Sequence, residues 1–499
     1  MSIFLDLVED NNLNIQSFID QIENKNNTPE QILKLIIETR ISKNGYQILR
    51  NFSIFNKNNL FCPYYEILAC KKQCYPDFII LEPNAFFLDA GEMVILTLKR
   101  LFKTLIIDQT FLKNFQTNIL SVEIKCGMDG AHSNSEYRNF FRESKIGDAF
   151  FVFASFTILN VKLNDNQIYE NNSPNSTKIS RPLVLVFEKE SDELCLEIKN
   201  KIEEDLNKYL EFAMDINGEF FDFSISIRSL FTAIDGKMFN AFINNRATTR
   251  CPICLLTYKD FKDIKYDNFN HNTQSIKNKF QYGFSQLHFK INCFNFLLKI
   301  AHTSNLKNIE IIKGCKLNKI DKELAIKEFR EYYQIEFAKK LNLKIDYVDP
   351  GYGRTNTGNN VKECLKNYKY TSEILKIDIN IVKNLNEITT YLYSLKEINL
   401  NDYISLLNET HDLIRSTYSD ISIPPSVHKI LVHSPAIIKE LGLSPGKYCE
   451  ENSECLIKVI RLARSRFSRK ESPISNLTDI VHYLLINSDP FINNLKISN

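Results

Sequence analysis

The sequence has no hydrophobic run long enough to cross a membrane, because none approaches the roughly 18 consecutive apolar residues that a spanning helix needs. The first residues, MSIFLDLVEDNN, are acidic where a secretory signal peptide would be basic. Twelve cysteines are scattered irregularly over 499 residues, a pattern that argues against a disulfide framework and favours reduced thiols or metal ligands. We therefore expect a soluble intracellular chain.

The chain also lacks an excess of charge of either sign. Its 62 Lys and Arg residues nearly balance 60 Asp and Glu residues, and the net charge is only +2. Any nucleic-acid surface must therefore be a local patch. GYGRTNTGNN at 351–360 contains three glycines but has neither the Walker spacing nor GxGxxG, so it is only a weak phosphate-loop candidate. Tryptophan is absent, which has no functional weight.

Apolar runs between residues 121 and 235 predict a sheet. SVEIKCGMD, AFFVFASFTILNVKL and RPLVLVFEKE are typical of strands. An amphipathic helix follows over 191–212, and FDFSISIRSLFTAID returns to strand. Three strands, a helix and a strand are the order of a ribonuclease-H-like core, in which the first and fourth strands are neighbours. These two strands end in Asp129 and Asp235.

Helical periodicity dominates the rest of the chain. TPEQILKLIIETRI opens with a capping pattern at Thr28, and residues 251–445 are largely helical and polar. We therefore predict a mixed α+β fold whose ribonuclease-H-like core carries a large helical insertion. The predicted regions are a helical N-terminal region (1–120), the first part of the core (121–250), a helical insertion (251–445) and the C-terminal part of the core (446–499).

Three carboxylates could form a site for two divalent cations. Asp129 and Asp235 end neighbouring strands, and Glu454 on a late helix would be the third. Mg²⁺ prefers oxygen ligands, and two such ions can activate the attacking oxygen and stabilise the leaving oxygen in phosphoryl transfer. Each residue alone has an ordinary alternative, because Asp-Gly is a common turn and a helical Glu is usually solvated.

A Cys-x-x-Cys turn at Cys251 and Cys254 suits a tetrahedral zinc site. Two further ligands could be His428 and His433, which lie in SVHKILVHSP. Residues five apart on an ideal helix are rotated by about 140°, so this pair needs a bend or a helix end, and flanking prolines break the helix on both sides. The alternatives are core or surface histidines and a redox pair, although the βαβ context of a redox motif is missing.

A run of basic residues without an acid follows Glu454, between positions 455 and 470. Its members are Lys458, Arg461, Arg464, Arg466, Arg469 and Lys470. Such a run is usually a solvated helix face. Because it directly follows a candidate metal ligand, we expect Lys458, Arg461 and Arg464 to form a stripe that contacts the DNA backbone.

The order of these segments resembles the Transib transposases and the catalytic subunit of the RAG recombinase. The segments that carry the resemblance are ISKNGYQILRN, KCGMDG, STKISRPLVLVFEKE, LFTAIDGKMFNAF, CPIC, GFSQLHFKINCFNFLLKIAH, GRTNTGNN, PPSVHKILVHSPAII, GKYCEENSECLIK and INSDPFI. Each is weak alone, but their shared order over most of the chain is specific.

The resemblance assigns roles to regions and to individual positions. It implies that the helical region 1–120 serves in DNA binding or dimerisation and that the helical insertion 251–445 binds zinc. It also implies Asp129, Asp235 and Glu454 as catalytic Mg²⁺ ligands, and Cys251, Cys254, His428 and His433 as zinc ligands. Glu454 is preferred to Glu451 because Lys458 lies four residues later, as in the family's Glu-to-Lys spacing. Two departures lie beside the site, since the family's Asp-Gly-Ser-Ser is Asp-Gly-Ala-His here and its Asn-Lys is Ile-Lys.

The function implied by the resemblance is that of a DNA transposase or recombinase. Such an enzyme uses Mg²⁺ or Mn²⁺ to nick DNA at terminal inverted repeats, forms hairpins through the freed 3′-OH, and joins the ends to target DNA. The family acts as a homodimer on double-stranded DNA, which implies a nuclear location. The alternatives are a domesticated, catalytically idle DNA-binding protein and an unrelated zinc protein with incidental carboxylates.

Overall fold

The computed structural model describes residues 27–55, 60–106, 109–115, 117–131, 149–247, 249–346 and 356–495. These residues form a mixed α+β fold in which helices surround one eight-stranded sheet. The predicted fold class is confirmed. None of the helices in these ranges is both long and apolar enough to cross a membrane.

The N-terminal part of the described chain is mainly helical. Its first helix begins with the predicted capping box, in which Thr28 accepts from the backbone N–H of Gln31 and the Gln31 side chain accepts from that of Thr28. The helices are α1 (Pro29–Thr39), α2 (Lys43–Phe55), α3 (Tyr64–Lys72), α4 (Ala90–Phe102) and α5 (Gln109–Leu112). Two short strands, β1 (Ile80–Glu82) and β2 (Ala85–Phe87), interrupt this region and join the main sheet.

The sheet continues with six strands in the next part of the chain. They are β3 (Asn118–Ala131), β4 (Phe151–Leu163), β5 (Asn166–Glu170), β6 (Arg181–Val186), β7 (Leu210–Ile216) and β8 (Glu219–Ala233). The strand order is β1-β2-β6-β4-β3-β8-β7, and β5 pairs with β4 outside this path. Strand β4 lies between β6 and β3 and is buried almost throughout, which explains its unbroken apolar run.

Strands β3 and β8 are parallel neighbours, as the predicted topology requires. The crossover between them includes the helix α6 (Asp192–Leu206), whose N-cap Ser191 accepts from the backbone N–H of Leu194. The C-terminal end of β8 is buried, whereas its first half is mostly exposed or half-buried. The two strand ends that carry aspartates therefore lie together at one buried edge of the core.

The predicted helix over 191–212 was too long. It ends at Leu206, and β7 then forms a hairpin with β8. The hairpin turn is Asn217–Gly218, with φ values of 50° and 90°. Asn-Gly favours the left-handed conformation that both central residues of a tight hairpin need, so this sequence pattern predicts the turn.

The remainder of the described chain is helical. The helices are α7 (Gly236–Phe242), α8 (Gln274–Lys277), α9 (Gln286–Lys313), α10 (Lys319–Leu341), α11 (Gly358–Lys366), α12 (Tyr368–Leu375), α13 (Ile379–Leu392), α14 (Leu400–Thr417), α15 (Pro425–His428), α16 (Ser434–Leu441), α17 (Glu451–Arg466), α18 (Pro473–Asn487) and α19 (Pro490–Asn494). Short 3₁₀ helices lie at Phe280–Tyr282 and Pro445–Tyr448, and a π-helical turn spans Lys429–His433. A large continuous core joins the sheet to most of these helices.

A buried ion pair attaches the C-terminal helices to the rest of the fold. Asp489, which caps α19, accepts two hydrogen bonds from Arg100 of α4 at 2.8 and 3.0 Å. Arg181 of β6 donates to the carbonyl of Leu485 at 2.7 Å. Because these groups are fully desolvated, removing one partner would leave a buried charge, so the pair fixes how α18 and α19 pack on the sheet.

Candidate active site and metal centre

The two predicted aspartates lie at the same edge of the sheet. Asp129 lies two residues before the C-terminal end of β3, and its Oδ1 accepts from the backbone N–H of Gly130 at 2.8 Å. Asp235 follows β8 and caps α7 by accepting from the N–H of Met238 at 2.7 Å. Gly127 of β3 pairs with Ala233 of β8, so each aspartate lies two residues beyond this paired position.

Helix α17 brings Glu454 to this edge. Ser453 donates from Oγ to the carbonyl of Ala233 at 3.1 Å, which fixes the first turn of α17 on the end of β8. Gly127 permits this contact, because a Cβ at that position would lie 2.6 Å from the Ser453 Oγ and 3.0 Å from the Cβ of Ala233. A glycine is therefore needed where the helix crosses β3.

A buried lysine also holds the start of α17, and sequence patterns did not identify it. Lys125 of β3 donates from Nζ to the carbonyl of Cys449 at 2.9 Å and to Oδ1 of Asn175 at 2.8 Å. Lys125 lies on β3, four residues before Asp129, and Cys449 lies five residues before Glu454. The same strand thus carries one carboxylate and fixes the backbone that leads to another.

The electrostatics of Asp129 depend on both of the other carboxyl groups. Burial raises the pKa of Asp129, and the charges of Asp235 and Glu454 raise it further, to about 8. Burial also raises the pKa of Glu454. Like charges held together disfavour ionisation, and a divalent cation would reverse this effect. An all-oxygen set of this kind fits a hard cation such as Mg²⁺.

Glu451, the alternative to Glu454, has other partners. Its Oε1 accepts from Nζ of Lys290 at 3.1 Å and from the hydroxyl of Tyr393 at 2.9 Å. The carboxyl charges that raise the pKa of Asp129 belong to Asp235 and Glu454. The partners of Glu451 and the charge effect of Glu454 on Asp129 therefore favour Glu454 over Glu451 as the third carboxylate.

Glu450 and His288 are two further residues of this site that sequence patterns missed. Helix α9 begins after Ser285, whose own side chain does not cap it. Instead, Oε1 of Glu450 accepts from the backbone N–H groups of Leu287 and His288 at 2.9 and 3.2 Å, and from Oγ of Ser285 at 2.8 Å. Glu450 is only 2% exposed, so a buried carboxylate from outside the helix supplies the cap.

The second predicted centre is also assembled. Ligand atoms of Cys251, Cys254, His428 and His433 all lie within 4.8 Å of one another. The Sγ of Cys254 is 3.5 Å from Nε2 of His428. Tetrahedral zinc with Zn–S of about 2.3 Å and Zn–N of about 2.0–2.1 Å separates sulfur and nitrogen ligands by about 3.5 Å. The donor set and spacing therefore fit zinc.

The π-helical turn explains how histidines five residues apart share one side. Helix α15 ends at His428, and Lys429–His433 forms the π turn. Hydrogen bonds in a π-helix join residues i and i+5, so His433 lies approximately one turn above His428. The break in regular α-helix that the spacing of the two histidines required is therefore a change from α-helix to π-helix at Lys429.

The ring orientations at this centre are set by neighbouring aromatic residues. The His428 ring stacks on Phe261 with centroids 3.9 Å apart. His433 contacts His271 through Nδ1, 3.1 Å from Nε2 of that residue. This leaves Nε2 of His433, which is buried and has no hydrogen-bond partner among the described residues, to serve as a metal ligand. His271 was not identified from the sequence.

The basic stripe on α17 is only partly as expected. Lys458 and Arg461 are exposed. Arg464 is only 4% exposed, and its guanidinium lies 5.5 Å from the ring centre of Phe187. The expectation that Arg464 contacts DNA therefore does not fit this conformation, because three-residue steps along the helix rotate the side chain towards the protein interior. His132 and residues 351–355 of the Gly/Asn loop lie outside the described residues.

Comparison with known proteins identifies the core. Residues 122–243 match the family model described as the Recombination-activation protein 1 (RAG1) RNase H domain. Over these residues the chain is similar to the RAG1 RNase H domain. The segment contains Asp129 and Asp235, and the predicted resemblance to the Transib and RAG-type family is confirmed.

Other comparisons add little. No curated protein matches the chain. Among solved structures, the Drosophila P element transposase strand transfer complex is similar at 11% identity, with 100% of both chains covered and a TM-score of 0.31.

Proposed function

We propose that the protein is a metal-dependent DNA transposase or recombinase whose active site is formed by Asp129, Asp235 and Glu454. Three observations support this proposal: Asp129 and Asp235 lie at corresponding positions beyond the paired residues of β3 and β8, the charges of Asp235 and Glu454 raise the pKa of Asp129, and residues 122–243 match the RAG1 RNase H domain. Two Mg²⁺ or Mn²⁺ ions bound there would activate the attacking oxygen and stabilise the leaving oxygen of a phosphodiester.

The chain's own residues hold the carboxylates in place. The α7 cap fixes Asp235, and the Ser453 contact with β8 fixes the helix that carries Glu454. Lys125 anchors the residues before that helix. A site of this kind acts mainly by positioning, so rigid strand ends and a pinned helix are what phosphoryl transfer needs.

The finer steps of the proposed reaction come from the family resemblance. The enzyme would nick at the ends of a terminal inverted repeat, use the new 3′-OH to form hairpins, and join the ends to target DNA. Exposed Lys458 and Arg461 follow Glu454 along α17, and they would hold the DNA backbone beside the carboxylates. We further propose a homodimer that acts in the nucleus.

The Cys/His centre would hold a structural Zn²⁺. Its four ligands come from two segments, since Cys254 and His428 are 174 residues apart in sequence. No ligand position is left open, which is typical of structural zinc and not of catalytic zinc. The ion would close the helical insertion at its base.

A cleavage assay tests the proposal. The purified protein would be incubated with linear DNA from the flanks of its gene in Mg²⁺ or Mn²⁺, and the strands would be separated on a denaturing gel. We expect nicks and hairpins with the parent protein and with the surface control Glu471→Gln. The Glu454→Gln variant should not cleave this DNA, although its affinity for the DNA should be close to that of the parent protein.

Two outcomes would contradict the proposal. If the parent binds DNA but does not cleave it, the protein is the catalytically idle DNA-binding alternative. If Glu454→Gln cleaves as well as the control, the carboxylate assignment is wrong.

A further inference from the structure

Helix α9 leads from the carboxylate site to a tip at the far end of a helical hairpin. Its first turn is capped by Glu450, which lies directly before α17. The helix has 28 residues, and at a rise of about 1.5 Å per residue the distance along it from Leu287 to Ile311 is about 36 Å. A short connection, 314–318, then leads into α10. Residues 311–324 form the hairpin tip.

The hairpin tip is held in shape by contacts between its two helices. Oε1 of Glu310 accepts from the backbone N–H of Leu317 at 3.1 Å and forms an ion pair with Nζ of Lys322 at 3.2 Å. Leu317 is itself buried. Further along the hairpin, Nδ2 of Asn305 on α9 donates to the hydroxyl of Tyr333 on α10 at 2.7 Å. The side chains that the tip exposes are therefore held on a fixed scaffold.

Four large apolar side chains are exposed at the hairpin tip. Ile311 and Ile312, at the end of α9, are 76% and 84% exposed. Ile320 and Leu324, at the start of α10, are 76% and 56% exposed. Single exposed apolar residues are ordinary, but a group of them on one surface marks a place where a partner binds. The tip therefore has the apolar part of a binding surface.

Lysines surround this apolar group. The three exposed lysines of the tip loop and its borders are Lys313, Lys316 and Lys319. Residues 311–320 contain no acid, and of the neighbouring acids Glu310 is paired with Lys322 whereas Asp321 is exposed. A positive rim around apolar side chains is complementary to duplex DNA, because phosphates attract lysine and the stacked bases offer apolar surface.

The length of α9 matches one turn of duplex DNA. B-DNA repeats after about 34–36 Å, or about ten base pairs. A duplex that lies along α9 with its scissile phosphate at the carboxylates therefore presents the same groove to the hairpin tip one turn away. This match favours DNA over a protein partner, because a protein partner would not need that spacing between the tip and the carboxylates.

We propose that the hairpin tip binds the substrate duplex about ten base pairs from the cleavage position and kinks it there. This inference rests on the proposed function. Lys313, Lys316 and Lys319 contact phosphates, while Ile311 and Ile312 insert between two neighbouring base pairs. Inserted apolar side chains partly unstack a base step, and the resulting kink lets the duplex contact more protein surface.

Duplexes with a prepared weak point test this wedge. The DNA carries the cleavage position mapped with the parent protein, and it is either fully paired or has a two-base mismatch about ten or about five base pairs away, on each side in turn. Binding is measured without Mg²⁺ or Mn²⁺, so that the DNA stays uncut, and bending is followed by energy transfer between dyes at the two ends. Because a mismatch is already weakly stacked, the parent should bind the duplex mismatched at ten base pairs about tenfold more tightly than the paired duplex. The mismatch at five base pairs should give little gain.

Variants separate the wedge from the phosphate contacts. The double substitution Ile311→Ala and Ile312→Ala should reduce the bend and remove the preference for the mismatch, while the salt dependence of binding stays that of the parent. Replacing the three lysines by alanine should reduce the slope of log affinity against log salt concentration by about three units. Ile335→Ala, at a 62% exposed isoleucine of α10 outside the tip, is the control and should behave as the parent does.

Three results would overturn the inference. If the isoleucine variant bends DNA and prefers the mismatch as the parent does, there is no wedge, although the proposed function stands. If its substitutions change only the molecular mass measured by light scattering, the tip joins two copies of the chain and does not contact DNA. If the parent neither binds nor cleaves duplex DNA, the proposed function itself fails, and the inference fails with it.

Discussion

Replacing Cys251 by serine should release the helical insertion before it affects any chemistry. Cys251 is completely buried, and its sulfur belongs to a set of four ligand atoms within 4.8 Å. Structural zinc in small domains contributes its binding free energy directly to folding. Loss of one thiolate therefore removes the crosslink between the Cys-x-x-Cys turn and the π turn.

The size of the crosslink sets the expected loss of stability. The bridge from Cys254 to His428 closes a loop of 174 residues, for which the chain-entropy relation gives about 5 kcal/mol at 25 °C. For a folding unit of roughly 200 residues, that loss corresponds to a fall in Tm of about 10–20 °C. The relation was developed for disulfides, and we use it because both kinds of crosslink restrict the unfolded chain.

The matched control is Cys364→Ser. Cys364 is also fully buried but lies on α11, outside the Cys/His centre. It measures the cost of burying a serine hydroxyl, about 1–3 kcal/mol. Thermal unfolding would be followed by circular dichroism with and without a zinc chelator, and the zinc content would be determined by elemental analysis.

The expected pattern is specific to the centre. The parent and Cys364→Ser should contain about one zinc per chain and lose Tm on chelation, whereas Cys251→Ser should contain none and be insensitive to chelator. A folded parent protein without zinc would refute the metal assignment. Equal Tm losses in Cys251→Ser and Cys364→Ser would refute the crosslink argument.

Three further predictions concern the carboxylate site and its surroundings. Replacing Lys458 and Arg461 by alanine should weaken binding to any DNA sequence about equally, and it should reduce the slope of log affinity against log salt concentration by about one unit per lost contact. Arg464→Ala should lower stability instead. A filter-binding salt titration in which the slope is unchanged by the double substitution would contradict this prediction. Gly127→Ala should lower the free energy of unfolding by about 1–3 kcal/mol, because its Cβ would collide with Ser453 and Ala233, and the variant should also cleave DNA poorly. Urea unfolding measures the loss, and Gly236→Ala, whose Cβ would meet no atom within 4 Å, is the control. The pKa of His288 is raised to about 9 in the folded protein, so the histidine contributes stability below its unfolded-state pKa of about 6.5, and this contribution is lost as the pH rises through about 9. The difference in unfolding free energy between the parent and His288→Ala should therefore shrink over that interval. A difference that stays constant in pH-dependent unfolding experiments would contradict this prediction.

The sequence alone determined the features that depend on local pattern. The capping box at Thr28, the apolar run of β4 and the order of β3, β4, β6, α6 and β8 follow from periodicity and short-range hydrogen bonding. The short strands β5 and β7 were not predicted. The parallel pairing of β3 and β8 followed from topology, because strands joined by a helical crossover are normally parallel. Residue spacing and resemblance together pointed to Glu454, whose charge raises the pKa of Asp129, and to the four Cys/His residues, whose ligand atoms lie within 4.8 Å of one another.

Only the tertiary structure decided the features that depend on distant parts of the chain. Glu450 caps a helix that begins more than 160 positions earlier in the sequence, and no local pattern marks a cap of that kind. The same holds for the burial of Arg464 against Phe187 and for the contact of His433 with His271. Local periodicity predicts which residues can form a helix or a strand, because those hydrogen bonds are short-range. Which charged side chains become buried, and which partners they find, depends on how the finished elements pack.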